Sequence, residues 1–380
     1  MKVALIHDWL TGMRGGEKCL EIFCELYPEA DIFTLLHLKG SISPVIERHA
    51  IHTSFVQNLP FVARRYRHYL PFFPTAIEQF DLREYDLILS SSHCVAKGGL
   101  AHPGSVHVCY CHTPMRYVWS MYHEYFGPDR VKGLQRKIIE FSANYLRQWD
   151  VASSNRVDYF IANSNHVRKR IEKYYRREAD VIYPPVDVAD VSPASSSEDF
   201  YLIVSALVPY KKVELAVQVF TQLNKKLVII GKGGEEARLR KIAGPTIEFL
   251  GWKDGTALAD YYANCRALIF PGEEDFGIVP VEAQAYGKPV IAFAKGGALE
   301  TVKGISPDES GKYDSLLNKT DEFTGIFFNE QTVKSLAAAV DFVEKINFDP
   351  NKIHEQALQF DREVFQEKIK QRVEKALIEG

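Results

Sequence analysis

Residues 267–294, ALIFPGEEDFGIVPVEAQAYGKPVIAFA, decide how the chain folds. ALIFPG reads as a buried strand and PVIAFA as the next one, and between them PVEAQAYG reads as a helix. Pro280 sits in its first turn, where a missing N–H costs nothing, and Gly287 ends it. Outward from this unit, short β-branched runs alternate with amphipathic stretches, as expected for parallel sheets covered by helices on both faces. The pattern occurs twice. The first set contains VALIH (3–7), DIFTLL (31–36), DLILSS (86–91), VHVCYCH (106–112) and DYFIANS (158–164); the second contains FYLIVSAL (200–207), KLVIIG (226–231), IEFLGW (247–252), ALIFPG (267–272) and PVIAFA (289–294). The chain is therefore expected to be α/β with two doubly wound domains.

Length supports the division, since 380 residues exceed the size at which one hydrophobic core keeps growing. The expected domains are 1–186 and 187–360, hinged in VIYPPVDVADVSPASSSED, where two prolines stiffen the chain and a Pro/Ser-rich run follows. A last helical stretch, about 361–380, carries Val364, Phe365, Ile369, Val373 and Leu377 on one face, so it must pack on something. Apolar residues at 46% and charged residues at 25% exclude collagen-like and disordered classes, and a net charge of −3 points to no polyanionic partner such as nucleic acid. No apolar run approaches the ~20 residues that span a bilayer, and Met1 leads straight into a strand, so a cytoplasmic location is expected. The six cysteines form no CxxC pair and read as small buried residues. His93, Cys94, Cys109, Cys111 and His112 match no common structural zinc spacing.

Two carboxylates, Glu274 and Glu282, flank Phe276-Gly277-Ile278 inside an otherwise apolar run. Free N–H groups and the positive end of a helix gather at Gly277 and Ile278, a setting that attracts phosphate. A carboxylate that touched the phosphate would repel it, but each can accept two hydrogen bonds from vicinal hydroxyls. A nucleotide sugar offers two such diols with a diphosphate between them. The bland alternative is that Glu282 complements a helix terminus and Glu274 is solvated.

EEDFGIVPVEAQAYGKPVIAF resembles the E-x7-E signature of retaining glycosyltransferases of family 4, which have the GT-B architecture of two Rossmann-like domains. The resemblance runs through the whole chain: GMRGGEK, CYCHTPMRYVW, YFIANSNHVRKRI, VIYPPVD and SALVPYKKVELAV. Within the family the chain is most similar to mannosyltransferases of O-antigen and capsule assembly. The resemblance implies that Glu282 holds the ribose diol and Glu274 the hydroxyls of the transferred sugar, with Phe276, Gly277 and Ile278 presenting amides. It implies that Lys211 reaches the diphosphate, with Lys212 a weaker candidate, and that His112 contacts the donor sugar. Gly15 and Gly16 would lie beside acceptor and donor phosphate, and Gly231 and Gly233 would border the base or phosphate. TGMRGGEK lacks the spacing of a dinucleotide fingerprint, which argues against a dehydrogenase.

Ala206 departs from the pattern, because many members carry an arginine there; Arg14 or Lys212 is the available substitute. No D-x-D triplet occurs, so no metal and no cofactor is expected: lysine and helix amides would serve the diphosphate. FVQNLPFVARRYRHYLPFFP (55–74) mixes aromatics with Arg64, Arg65, Arg67 and His68 and has no acidic residue. That composition suits an anionic membrane surface, where a lipid-linked acceptor would be met; a helix with a buried aromatic face and a solvated basic face accounts for it equally well. The expected activity is transfer of a hexose, mannose from GDP-mannose, to a saccharide or lipid-linked saccharide in cell-surface glycan synthesis. Retention would follow a front-face route needing no protein base. A UDP-sugar donor and a nucleotide-sugar-binding protein with little turnover are the alternatives.

Overall fold

The computed structural model describes residues 1–127, 131–194, 196–306 and 322–380. It contains two compact units, Met1–Pro185 with Glu363–Gly380, and Val186–Arg362. The first unit is built on seven strands: β1 (Val3–His7), β2 (Asp31–Thr34), β3 (Ile51–Thr53), β4 (Leu87–Ser92), β5 (Val106–Cys111), β6 (Tyr159–Ala162) and β7 (Ala179–Val181). All pair in parallel in the order β3-β2-β1-β4-β5-β6-β7. Central strands such as β1 and β4 are buried along their whole length, which explains their continuous apolar runs.

The second unit repeats the plan with β8 (Tyr201–Val204), β9 (Leu227–Ile230), β10 (Ile247–Gly251), β11 (Ala267–Phe270), β12 (Val290–Phe293), β13 (Gly304–Ile305) and β14 (Gly325–Phe328). Its order is β10-β9-β8-β11-β12-β14-β13. Both units are Rossmann-like parallel-sheet domains. The strand order reverses between β1 and β4 in the first unit and between β8 and β11 in the second, where β13 also lies outside β14 at the sheet edge. Ligands of open α/β sheets bind beyond the carboxyl ends of strands at such a switch.

Ten of these strands carry the apolar runs that the sequence shows; β3, β7 and β13, of two or three residues, and the four-residue β14 do not stand out in it. The three shortest show no period of their own, and all four pair in parallel with neighbouring strands. The basic segment at 55–74 is not one helix. It breaks into short turns at Phe55–Asn58, Val62–Arg65 and Tyr66–Phe72, with Pro71 inside the last and Phe61 in a left-handed conformation before the second.

The closing helix Arg362–Glu379 buries Phe365, Ile369, Val373 and Ala376 against the first sheet, in one core with Leu5, Phe23 and Tyr110. The Phe365 ring stacks on Phe23 at 6.0 Å and meets Tyr110 edge-on at 5.4 Å. Truncating such a buried ring to alanine costs about 3–5 kcal/mol, so the chain's last segment is part of the first unit's core.

Candidate functional site

In the second unit the loops that leave β8, β9, β11 and β12 touch backbone to backbone. Leu207 N–H donates to the Lys232 carbonyl at 3.0 Å, and Gly297 N–H to the Glu274 carbonyl at 2.8 Å. Gly231, at φ +141°, lies so close to Ser205 that a Cβ would stand 1.8 Å from its carbonyl oxygen. A Cβ on Gly297 would stand 2.1 Å from the Phe276 carbonyl oxygen. Gly233 lies equally tight against Leu207, and Gly272 faces the backbone of Tyr210 and Lys211. Gln331 adds a fifth loop by donating from Nε2 to the Pro271 carbonyl at 2.9 Å.

This stack brings Lys211 and Glu274 together as an ion pair, although they are far apart in sequence. Lys211 ends the 3-10 turn Pro209–Lys211, and Lys212 follows in a left-handed conformation at φ 54° as the cap of helix Val213–Leu223. The Lys212 side chain is exposed, as is Ala206. Gly277, at φ +99°, caps helix Ile278–Ala285, so Ile278 is the first helical residue. Phe276 offers only backbone to a ligand, because its ring is buried edge-on against Phe360 at 5.4 Å.

Glu282 lies in the second turn of that helix, not the first. Dipole complementation, which fades within one turn, therefore does not explain it. Its Oε2 accepts the Tyr262 hydroxyl at 2.7 Å, and the Tyr262 ring stacks on Tyr286 at 5.7 Å. Burial, reinforced by the Glu282 carboxylate, holds the Tyr262 phenol well above its usual range, so it stays a donor to Glu282.

The first unit's switch point carries a polar cluster of which the sequence reading identified only His112, Gly15 and Gly16. His7 ends β1 beside Ser91 in register. The Ser91 hydroxyl lies 3.0 Å from His7 Nδ1 and 2.8 Å from His112 Nε2. Gly15 opens helix Gly15–Leu26, and a Cβ on Gly16 would come within 3.3 Å of the His7 ring and 3.5 Å of His112 Nε2. Glu17, buried in the same helix, has Oε1 at 3.7 Å from His7 Nε2. Beside this line Asp8 takes four backbone N–H groups, from His93, Cys94, Val95 and Ala96, and pairs with His93 Nδ1 at 2.9 Å. The signal that selected His112, a polar side chain at the carboxyl end of an apolar strand, was equally present in His7 and Asp8 after VALI.

Burial, with His93 and His7 adding to it, pushes the His112 imidazole down to about 3. Burial likewise pushes His107, whose Nε2 meets the Ser90 hydroxyl at 2.8 Å, down to about 4. Among the described residues no group of three or more His, Cys, Asp or Glu is placed to hold a metal ion. Cys94, Cys109 and Cys111 are buried. Arg14 is exposed, as are Arg64, Arg65 and Arg67.

Comparison with known proteins agrees with this plan. Residues 189–360 match the family described as Glycosyl transferases group 1, and residues 32–190 match Glycosyltransferase Family 4. Both matches are to glycosyltransferase families, one in each unit. The crystal structure of Anabaena HepE in complex with UDP superposes with a TM-score of 0.69 at 18% identity, over 99% of this chain and 100% of that one, and the fold is GT-B. The alpha-1,3/1,6-mannosyltransferase ALG2 of Saccharomyces cerevisiae is 25% identical over 261 residues, 52% of this chain and 51% of that protein. A GDP-mannose-dependent alpha-mannosyltransferase of Mycobacterium tuberculosis is 38% identical over 109 residues, 28% of each chain. The match with ALG2 spans about half of that relative's length.

The two depressed histidines set an acid limit on stability. A base whose pKa is lower folded than unfolded binds more protons in the unfolded state, so stability rises with pH across the interval between the two values. That interval runs from about 4 (His107) or about 3 (His112) up to the ordinary 6.5. Unfolding midpoints in urea should fall as pH drops from 7 to 5, with His107→Gln showing a shallower fall by up to about 1.4 kcal/mol per pH unit. An unchanged slope in that variant would mean His107 is charged in the folded chain.

Proposed function

We propose that the chain transfers a hexose, mannose from GDP-mannose, to a saccharide or lipid-linked saccharide acceptor with retention of configuration. The observation that carries the reading is the Lys211–Glu274 pair at the switch point of the second sheet, with Glu282 oriented by Tyr262. Glu282 accepts the ribose diol and the amides at Gly277 and Ile278 meet phosphate. On donor binding Lys211 turns from Glu274 to the diphosphate, which frees Glu274 to accept hydroxyls of the hexose. The two side chains are only 16% and 23% exposed, so the exchange is favourable only because diphosphate replaces Glu274 as the partner of Lys211 and sugar hydroxyls replace Lys211 as partners of Glu274.

In the reaction the bond from the anomeric carbon to the phosphate oxygen breaks and a bond from that carbon to the acceptor oxygen forms on the same face. The acceptor's proton passes to the departing phosphate oxygen. Lys211 stabilises the charge that grows on that oxygen, and no step requires a protein base. His112, neutral at physiological pH, hydrogen-bonds the sugar, with Gly15 and Gly16 leaving room beside it.

Mannose and GDP are favoured by the names of the yeast and mycobacterial relatives. The UDP held by the Anabaena protein favours the second reading, a UDP-sugar donor. The third, a binding protein with little turnover, draws on the exposed Ala206. Purified chain given GDP-mannose without acceptor should release GDP slowly, and Lys211→Ala should lower that rate about 10²–10³-fold, the usual loss for one stabilising donor. No release from GDP-mannose or UDP-glucose would leave the binding protein as the correct reading.

The acceptor side is assigned to an anionic membrane surface. Arg64, Arg65 and Arg67 are exposed beside Phe61 and Phe72, which are 77% and 54% exposed. In the same unit helix Gly133–Ser154 shows Leu134, Ile138, Phe141 and Tyr145 at 74, 58, 80 and 41% exposure, one apolar stripe at helical spacing. Exposed Lys132, Arg136 and Lys137 flank it. Apolar side chains bordered by cations fit a layer of acidic lipid. Among the described residues no helix is long and apolar enough to cross a membrane. The chain should co-sediment with vesicles containing phosphatidylglycerol and less with neutral ones, and Ile138→Asp with Phe141→Asp should abolish the binding. Absence of binding to acidic vesicles would remove the membrane from the account.

A further inference from the structure

Ser91 joins two imidazoles through one hydroxyl, which has a single proton to donate. It can donate to only one of the two rings, so at least one ring presents an N–H to it. Which way it points decides which nitrogen of His112 carries a proton, and the choice is made at the far end of the line. There Glu17 Oε1 faces His7 Nε2 at 3.7 Å, while Glu17 Oε2 accepts the Arg14 backbone N–H at 3.1 Å. Despite burial, the neighbouring His7 keeps the Glu17 carboxyl below the usual range, so it is an anion.

An anion beside His7 Nε2 favours the proton on that nitrogen. His7 Nδ1 is then a bare acceptor and takes the Ser91 proton, so the Ser91 oxygen accepts the N–H of His112 Nε2. His112 Nδ1 is left with a lone pair. We propose that Glu17, His7 and Ser91 act as positioning residues that lock His112 in its Nε2–H tautomer and make Nδ1 an acceptor for a hydroxyl of the bound sugar. The sugar rests on the proposed transferase reading; the tautomer does not.

The surroundings agree with this direction. The other ionisable groups near the line are His93, with ring centre 6.4 Å from His7 and 6.5 Å from His112, Asp8, which is paired with His93, and Tyr110, 5.1 Å from His112. Asp8 is occupied by four backbone N–H groups and His93, whereas Glu17 Oε1 faces the His7 end of the line. Gly16 covers the bridge without a side chain of its own. A His7 carrying protons on both nitrogens would keep Nε2–H toward Glu17 but donate from Nδ1 to Ser91, freeing the Ser91 proton for His112 Nε2 and leaving the His112 proton on Nδ1.

Histidine-labelled full-length chain distinguishes the cases, since the nitrogen and carbon-bound proton resonances of an imidazole report its tautomer, and His112→Asn assigns the ring. The expected result is protonated Nε2 and bare Nδ1 at His112 in the unmodified chain, with a share of the Nδ1–H form appearing in Ser91→Ala and in Glu17→Met. A merely structural role for Ser91 or Glu17 would leave those resonances in place. An Nδ1–H ring in the unmodified chain overturns the proposal, and so does a tautomer unchanged in both variants. Should one variant fail to fold, the other and the unmodified spectrum still decide. Because no turnover is read, a chain that transfers no sugar but shows the expected tautomers would sink the transferase reading and keep the relay.

Discussion

The contact on which the second unit depends is backbone against backbone. Where β8, β9, β11 and β12 end, their loops approach so closely that a single carbon atom on Gly231 or Gly297 would overlap a neighbouring carbonyl. Strand adjacency makes this possible, because β9-β8-β11-β12 are consecutive in the sheet and their loops leave side by side. Such a layer has little freedom. It fixes Lys211 against Glu274 and sets Gly277 at the head of a helix whose next turn presents Glu282. Rigid scaffolding of this kind holds charged groups ready for a ligand without ordering them at the moment of binding.

The first unit uses the same strand rule with different chemistry. Its switch point holds imidazoles, a hydroxyl and two buried carboxylates in place of a half-buried lysine–glutamate pair. Buried polar groups are costly unless bonded, and here most of the cost is met by backbone N–H groups on Asp8 and by the Ser91 bridge. One unit thus offers a lysine–carboxylate pair beside the start of a helix, the setting of the proposed diphosphate site. The other offers neutral imidazole, suited to a hydroxyl.

Much of the fold was legible because strands buried on both faces must be apolar throughout, and VALIH, DLILSS and KLVIIG carry that mark. The strand ends were not, since Ser205 and Pro271 belong to the stacked loops although they continue an apolar run. Of the site, Glu274 and Glu282 stood out as carboxylates in an apolar context. Their partners did not, because the Lys211 contact follows from β8 lying beside β11 and the Tyr262 contact from a helix folding back, and neither is a local pattern. Glu17 reads locally as an ordinary first-turn acid of a helix; its second role appears only when β1 brings His7 to it.

The proposed function requires the second unit's loop layer to bind a nucleoside diphosphate sugar through Glu282 and Lys211. Calorimetric titration of the purified chain with GDP, GDP-mannose and UDP tests it most directly, with Glu282→Gln and Tyr262→Phe alongside. Saturable binding of a guanine nucleotide is expected, weakened in both variants by a comparable factor because Tyr262 acts through Glu282. Binding that both variants leave unchanged, or no binding of any of the three, would contradict it.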